Sequence, residues 1–171
     1  MKTNILRAEA GPITQTQILN WLSEQTKGWD IANRKILLVV PDQTRTAPLG
    51  LLFKAFCELW LNSAAQLDVM IALGTHPAMS EKAILQRLEI SQEERLASYG
   101  KVCFYNHVWD NPAELKTVGH LTSDMVSEIT DGLFSLNVEV TINRKIFDYD
   151  QLVIMGPVYP HEVVGFSGGN K

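Results

Sequence analysis

Apolar residues recur at helical spacing in three segments of the chain, and each segment has a recognisable start. In residues 14–26 they crowd one side of a predicted helix, and Thr14 and Gln17 have the spacing of a capping box. A second predicted helix begins near Pro48, since proline suits a first helical turn. A third follows Ser80, a residue type favoured at helix N-caps.

Segments rich in β-branched residues and leucine separate these helices and predict strands. Residues 35–40, 67–73 and 151–155 are expected to form buried strands, with a further strand at 101–106. Residues 137–142 alternate as a strand, whereas 123–136 are ambiguous because Gly132 interrupts a partly helical pattern. Strands that alternate with helices predict one Rossmann-like α/β domain over residues 1–171, with a mostly parallel sheet and helices on both faces.

Composition and charge narrow the class of protein. The chain has 15 basic and 19 acidic residues, a net charge of −4, and no long run of either sign, so nothing indicates binding to nucleic acid or an anionic membrane. The N-terminus lacks the apolar segment of a signal peptide, and no apolar run is long enough to cross a bilayer. We therefore expect a soluble, cytoplasmic protein, with Cys57 and Cys103 buried and reduced.

Polar side chains of chemical interest follow the predicted strands. Asp42 and Arg45 come after the first strand, His76 after the second, His107 after the third and His161 after the last. In open α/β sheets, ligands bind outside the carboxyl ends of the strands. These side chains are therefore predicted to gather at one edge of the sheet.

The chemistry of these residues suits a small organic acid. The forked guanidinium of Arg45 matches a carboxylate or phosphate, and Asp42 can pair with it or reach a ligand beside it. His76 follows Gly74 in a sharp turn and has the side chain best suited to acid/base chemistry near neutral pH. The alternatives are an ordinary surface turn at 42–46 and a histidine bound to a backbone carbonyl. His120 has no flanking motif, which favours a structural role.

The C-terminal segment is the most unusual part of the sequence. Two prolines precede His161, and three glycines then fall within residues 165–169. Such a loop could curl around an anion, with Ser167 and backbone amides as donors and Lys171 adding charge. The spacing is neither that of a Walker A loop nor GxGxxG. A flexible linker is the alternative, but linkers rarely carry His, Phe and Lys next to a buried strand.

At these residues the sequence resembles the nickel-pincer lactate racemase family. The resemblance rests on residues 42–45, 74–76, 160–162 and 165–171, with agreement at 143–144 and 148–150. Each motif is short, but together, in this order and at strand ends, they are fairly specific. They cover the chain from about Ile36 to its end.

The resemblance implies the N-terminal domain of a two-domain isomerase, a racemase or epimerase of a small 2-hydroxy acid. Such enzymes use a nickel-pincer nucleotide, a pyridinium bis-thiocarboxylate mononucleotide, which takes a hydride from C2 of the substrate and returns it to either face. Cofactor-synthesis enzymes are implied as partners. The domain is expected to be truncated at its C-terminus, to lack the family's nickel-ligating histidine and to be inactive alone, without the cofactor. Lactate, malate and a sugar acid all stay open as substrates.

The resemblance also implies roles for individual residues. His76 and His161 match the acid/base pair, Arg45 matches the group that holds the substrate carboxylate, and Asp42 would orient the cofactor or Arg45. Lys171 matches the lysine that joins covalently to the cofactor. The residues implied in cofactor binding are Asp42, Thr44, Ser167, Gly168, Gly169 and Lys171. Pro77 departs from the family, whose members often carry arginine there.

A hypothesis from another class remains. The same loops would suit a non-catalytic α/β domain that binds a nucleotide or an organic anion. Such a domain needs neither a metal nor a pair of histidines.

Overall fold

The computed structural model describes residues 3–9, 11–163 and 165–168. In chain order the helices and strands are α1 (Gln15–Thr26), β1 (Lys35–Pro41), α2 (Leu49–Trp60), β2 (Gln66–Ala72), α3 (Glu81–Arg87), α4 (Gln92–Ala97), β3 (Phe104–Asn106), β4 (Leu115–Leu121), α5 (Ser123–Ile129), β5 (Val138–Asn143), β6 (Gln151–Ile154), β7 (Val158–His161) and β8 (Gly165–Gly168). Short 3₁₀ turns lie at Pro112–Glu114 and Arg144–Asp148.

The main sheet is parallel and has the strand order β3-β2-β1-β6. Helices flank this sheet, so the predicted α/β class is confirmed. Two antiparallel pairs, β4-β5 and β7-β8, lie outside the main sheet. The sequence pattern did not predict β4, the β7-β8 pair or the short helix α4.

The core lies where the central strands meet the helices. In β1, the consecutive residues Ile36, Leu37 and Leu38 are fully buried, because the strand lies between β2 and β6 and is covered on both faces. Phe53 of α2 is also fully buried and packs within the same cluster as Ile36 and Leu38. The prediction of a strand at 35–40 that is covered on both faces is therefore confirmed.

The edge strand β6 is less buried than the sequence predicted. We expected a fully buried strand at 151–155, but Leu152 is 38% exposed and Ile154 49% exposed. Val153, on the opposite face, packs against the core. β6 pairs with β1 alone in the described part of the sheet, and one of its faces is open to solvent.

Capping interactions fix the helix starts as the sequence indicated. Thr14 accepts a hydrogen bond from the amide of Gln17, whose side chain bonds back to the Thr14 amide, so the predicted capping box of α1 is confirmed. Ser80 caps α3 through the Ala83 amide. The ambiguous segment 123–136 contains α5, and the chain turns at Gly132, whose φ is +82°. Glycine adopts that conformation without steric cost.

The two cysteines have different environments. Cys57 is buried in α2, and burial raises the pKa of its thiol to about 12. Cys103 is exposed, so the prediction that it is buried was wrong. It directly precedes β3, which is an edge strand of the main sheet.

Phe53→Ala tests how much the core depends on one aromatic side chain. Phe53 contacts the rings of Tyr99 and Phe104 at centroid distances of 5.1 and 6.3 Å. Truncation leaves a cavity in a fully buried position, so we expect the free energy of unfolding to fall by about 3–5 kcal/mol in urea denaturation. Phe147→Ala, at a half-exposed ring, is the matched control and should cost about 1 kcal/mol or less. Equal losses would contradict the assignment of Phe53 to the core.

Candidate active site at the carboxyl edge of the sheet

Strand register brings Asp42 and His76 to the same edge of the sheet. β1 and β2 run parallel, with Pro41 opposite Ala72. Asp42 directly follows Pro41, and His76 follows Ala72 after a tight turn in which the His76 amide donates to the Leu73 carbonyl at 3.0 Å. Gly74 lies in this turn with a φ of +59°. The two side chains, 34 residues apart in sequence, therefore leave the sheet side by side.

The Asp42 carboxylate is the centre of this site. It is 2% exposed, and its Oδ2 lies 2.5 Å from Nδ1 of His76. Its Oδ1 accepts hydrogen bonds from the amide and hydroxyl of Thr44, at 3.0 and 2.6 Å. The His76 side chain is half exposed. Because Asp42 engages Nδ1, the ring offers Nε2 to a ligand.

Opposing effects set the ionisation of Asp42. Burial alone would raise the pKa of its carboxyl group. Hydrogen bonds from the Thr44 hydroxyl, from His76 and from the Thr44 amide favour the charged form and together hold the pKa below its ordinary value of 3.8. Asp42 is therefore a carboxylate at neutral pH, and its partners compensate for its burial.

Arg45 lies on the same segment but does not pair with Asp42. Its side chain is exposed, and no described residue bonds to its guanidinium group. Its backbone is held instead, because Arg87 of α3 donates to the Arg45 carbonyl at 2.5 Å. The observed side-chain partner of Asp42 at this edge is His76, and its expected role in orienting the cofactor or Arg45 stays a prediction.

The β7-β8 hairpin holds the other predicted site residues. His161 ends β7, where its Nδ1 accepts from the Val163 amide at 3.1 Å and lies 3.9 Å from the Glu162 carboxylate. Ser167 is buried in β8, opposite Tyr159. The Tyr159 hydroxyl donates to the Thr46 carbonyl at 2.9 Å, which ties the hairpin to the segment that carries Asp42 and Arg45. Among the described residues, no hydrogen bond or ion pair joins His76 to His161.

Residues 165–168 of the glycine-rich segment pair with β7 as a strand, where a loop was expected. Gly168 has a φ of +87°, and a Cβ there would lie 2.1 Å from the Pro157 carbonyl oxygen. The missing side chain at this position is therefore required by the packing of the hairpin itself. Gly165 has open space around its Cα. Gly169 and Lys171, both predicted to bind the cofactor, lie outside the described residues.

His107 has a different partner from His76. Its Nδ1 lies 3.0 Å from Nδ2 of Asn143, and Oδ1 of Asn143 accepts from the Lys145 amide at 2.9 Å. The Lys145 contact fixes the orientation of the Asn143 amide, so Nδ2 donates to the histidine. Burial lowers the pKa of His107, which agrees with a neutral ring. Asn143 was noted in the sequence only as part of the resemblance, and its contact with His107 spans 36 residues.

A cavity of about 380 Å³ lies beside this pair, lined by side chains that include Asn106, Asn143 and Lys145. A cavity of about 460 Å³, lined by Trp29, Arg34 and Asp150 among others, lies at the opposite edge of the sheet, where the strands begin. In the described ranges, no group of three His, Cys, Asp or Glu side chains could hold a metal ion. No described helix is long and apolar enough to span a membrane.

The fold and the site define an α/β domain with a carboxylate–histidine pair and an arginine at the carboxyl edge of a parallel sheet. The sequence model of the lactate racemase N-terminal domain matches residues 14–171. The chain therefore belongs to the lactate racemase N-terminal domain family, as the sequence motifs predicted.

A solved structure supports the fold. The chain is 32% identical in sequence to a protein from Thermotoga maritima whose crystal structure is known. The two structures match with a TM-score of 0.74, and the match covers 95% of this chain. The chain spans 38% of the length of that protein. A comparison with curated proteins found no match.

Asp42→Asn should change how stability depends on pH. A carboxyl group whose pKa is lower in the folded state stabilises the fold above its unfolded pKa, and this stabilisation is lost as the pH falls through the folded pKa. We expect the variant to be less stable than the wild type by roughly 1–3 kcal/mol at about pH 7, because charged hydrogen bonds are lost. The difference should shrink below the ordinary pKa of 3.8.

Urea denaturation across this pH range measures the effect, with Asp110→Asn at an exposed carboxylate as the control. A difference between Asp42→Asn and wild type that does not vary with pH would contradict the assignment.

Proposed function

We propose that this chain is the N-terminal domain of a two-domain, cytoplasmic racemase or epimerase that acts on a small 2-hydroxy acid with a nickel-pincer nucleotide. The observation that carries the proposal is the contact between Asp42 and His76 in a family member, with Arg45 on the same segment. His76, held by the Asp42 carboxylate, can accept the hydroxyl proton of a 2-hydroxy acid, and the exposed Arg45 guanidinium can bind its carboxylate.

Substrate binding begins at Arg45. Its guanidinium binds the substrate carboxylate through two parallel hydrogen bonds. The exposed position of this side chain and the anchored backbone beneath it support this role. Binding the carboxylate fixes the substrate's C2 and hydroxyl relative to the histidine.

Proton transfer takes place at Nε2 of His76. Asp42 holds Nδ1, which orients the ring and stabilises the imidazolium once Nε2 has taken the substrate hydroxyl proton. When bound, the cofactor supplies the acceptor for the hydride that leaves C2, so that the substrate becomes a 2-keto acid. His161 serves the opposite face, where it holds the hydroxyl proton of the other stereoisomer. The hydrogen bond from the hairpin to the Asp42–Thr46 segment supports a common site.

The residues fit the cofactor in part. Asp42, His76 and Arg45 supply proton transfer and carboxylate binding, and Lys171 is proposed as the covalent anchor. We assign no nickel ligand to the described residues, which contain no suitable cluster. The two-domain organisation, the covalent attachment and the need for cofactor-synthesis enzymes as partners all belong to the proposal.

A mass measurement tests the anchor. The longer protein, produced with cofactor-synthesis enzymes, should contain nickel in a one-to-one ratio and carry a mass adduct on the peptide that includes Lys171. Lys171→Arg should lose the adduct, because an arginine cannot form the same bond, whereas Lys145→Arg should keep it. Intact protein that is produced with those enzymes and carries neither nickel nor adduct would rule out the proposed cofactor.

Substitution of the two histidines separates the enzyme from a binding domain. In the loaded enzyme, His76→Gln and His161→Gln should each lower racemisation by roughly 10²–10⁴-fold, as expected for a lost acid/base group. Circular dichroism should show an intact fold, and His120→Gln, at an exposed histidine, should keep full activity. If wild-type protein binds an organic anion but never interconverts stereoisomers, the non-catalytic hypothesis is correct.

A further inference from the structure

Two consecutive backbone carbonyls in the site accept hydrogen bonds from side chains that are distant in sequence. Arg87, in the last turn of α3, donates to the carbonyl of Arg45 at 2.5 Å. The Tyr159 hydroxyl donates to the carbonyl of Thr46 at 2.9 Å. The peptide after Arg45 is therefore held by α3, and the next peptide, after Thr46, is held by the hairpin.

The hairpin register shows which of its side chains face this contact. Tyr159 lies opposite Ser167, and His161 lies opposite Gly165. Side chains two residues apart in a strand share a face, as do directly opposed residues of an antiparallel pair. Tyr159, His161 and Ser167 therefore share one face of the hairpin, and it is this face from which Tyr159 reaches Thr46.

The hydrogen bond from Tyr159 to the Thr46 carbonyl lies one residue from Arg45, so it can affect the position of the Arg45 side chain. Residues 43–46 are exposed, and the amides of Thr44 and Arg45 donate only to the nearby Asp42 among the described residues. In such a segment a hydrogen bond to a distant element limits the conformations that the backbone samples. Loss of the Tyr159 bond would leave the Arg45 carbonyl bonded to Arg87 of α3 but would separate the Thr46 carbonyl from the hairpin.

We infer that Tyr159 is a positioning residue, which holds the Arg45–Thr46 backbone against the hairpin and so aligns Arg45 with His161 for one substrate. The inference rests on the proposed function, in which Arg45 binds the substrate carboxylate. Tyr159 itself touches neither substrate nor cofactor in this proposal. Its hydroxyl acts through the backbone of a neighbouring segment.

Hydrogen exchange tests the structural part of the inference on the chain itself. In Tyr159→Phe the ring remains but the donor is lost, so the amides of Thr44 and Arg45 should exchange about threefold to tenfold faster, as expected for one lost hydrogen bond. Tyr99→Phe is the matched control, because the partly buried Tyr99 ring packs against Phe53 at a centroid distance of 5.1 Å and its loss of a hydroxyl leaves the Tyr159–Thr46 bond unchanged. Wild-type exchange rates in Tyr159→Phe would overturn the inference.

Steady-state kinetics of the loaded enzyme test the functional part. Tyr159→Phe should raise KM for the 2-hydroxy acid by about threefold to tenfold, because Arg45 must be ordered when the substrate binds. The kcat value and its pH profile should stay within about twofold of wild type, since the proton-transfer groups are unchanged. A loss confined to kcat, or an unchanged KM, would contradict a positioning role.

The two experiments test separate claims, so a negative result in one leaves the other informative. If the wild-type enzyme shows no turnover with any 2-hydroxy acid, the proposed function is wrong. The exchange rates of Thr44 and Arg45 still decide whether Tyr159 holds their segment.

Discussion

The parallel register between the two central strands is the constraint on which the site depends. Pro41 pairs with Ala72, so the residues that follow each strand emerge at the same height and within reach of one another. A shift of one residue would reverse the faces of a strand that is buried on both sides, at the cost of the core. The fully buried run in β1 thus stabilises the register, and the register places Asp42 against His76.

Burial of the Asp42 carboxylate gives this contact its rigidity. A charge removed from water needs partners, and Asp42 obtains them from Thr44 and His76. Each partner is then fixed in turn, so the histidine ring has a defined orientation although half of it is exposed. Arg87 and Tyr159 likewise donate hydrogen bonds to the carbonyls of Arg45 and Thr46. Side chains from two other elements thus restrain this exposed segment.

The sequence predicted local features well and long-range contacts poorly. The capping box at Thr14 and the strand at 35–40 depend on neighbouring residues, and both were found. The α/β pattern predicted that Asp42 and His76 lie at the same edge of the sheet. It did not predict their contact, because Arg45 was an equally reasonable partner for the Asp42 carboxylate. The β4 strand was missed since Gly119 interrupts its alternation, at a position where its pairing with β5 shifts register.

The two histidines that follow β2 and β3 show why position alone does not assign a role. Nδ1 of His76 faces a carboxylate, which would stabilise an imidazolium formed by protonation at Nε2. Nδ1 of His107 instead accepts a hydrogen bond from Asn143, whose orientation the Lys145 amide determines. A nitrogen that accepts a hydrogen bond carries no proton, and Asn143 supplies no charge to favour the imidazolium. Of these two residues at the same edge, only His76 has the environment of an acid/base group, whereas His107 connects the segment after β3 to the end of β5.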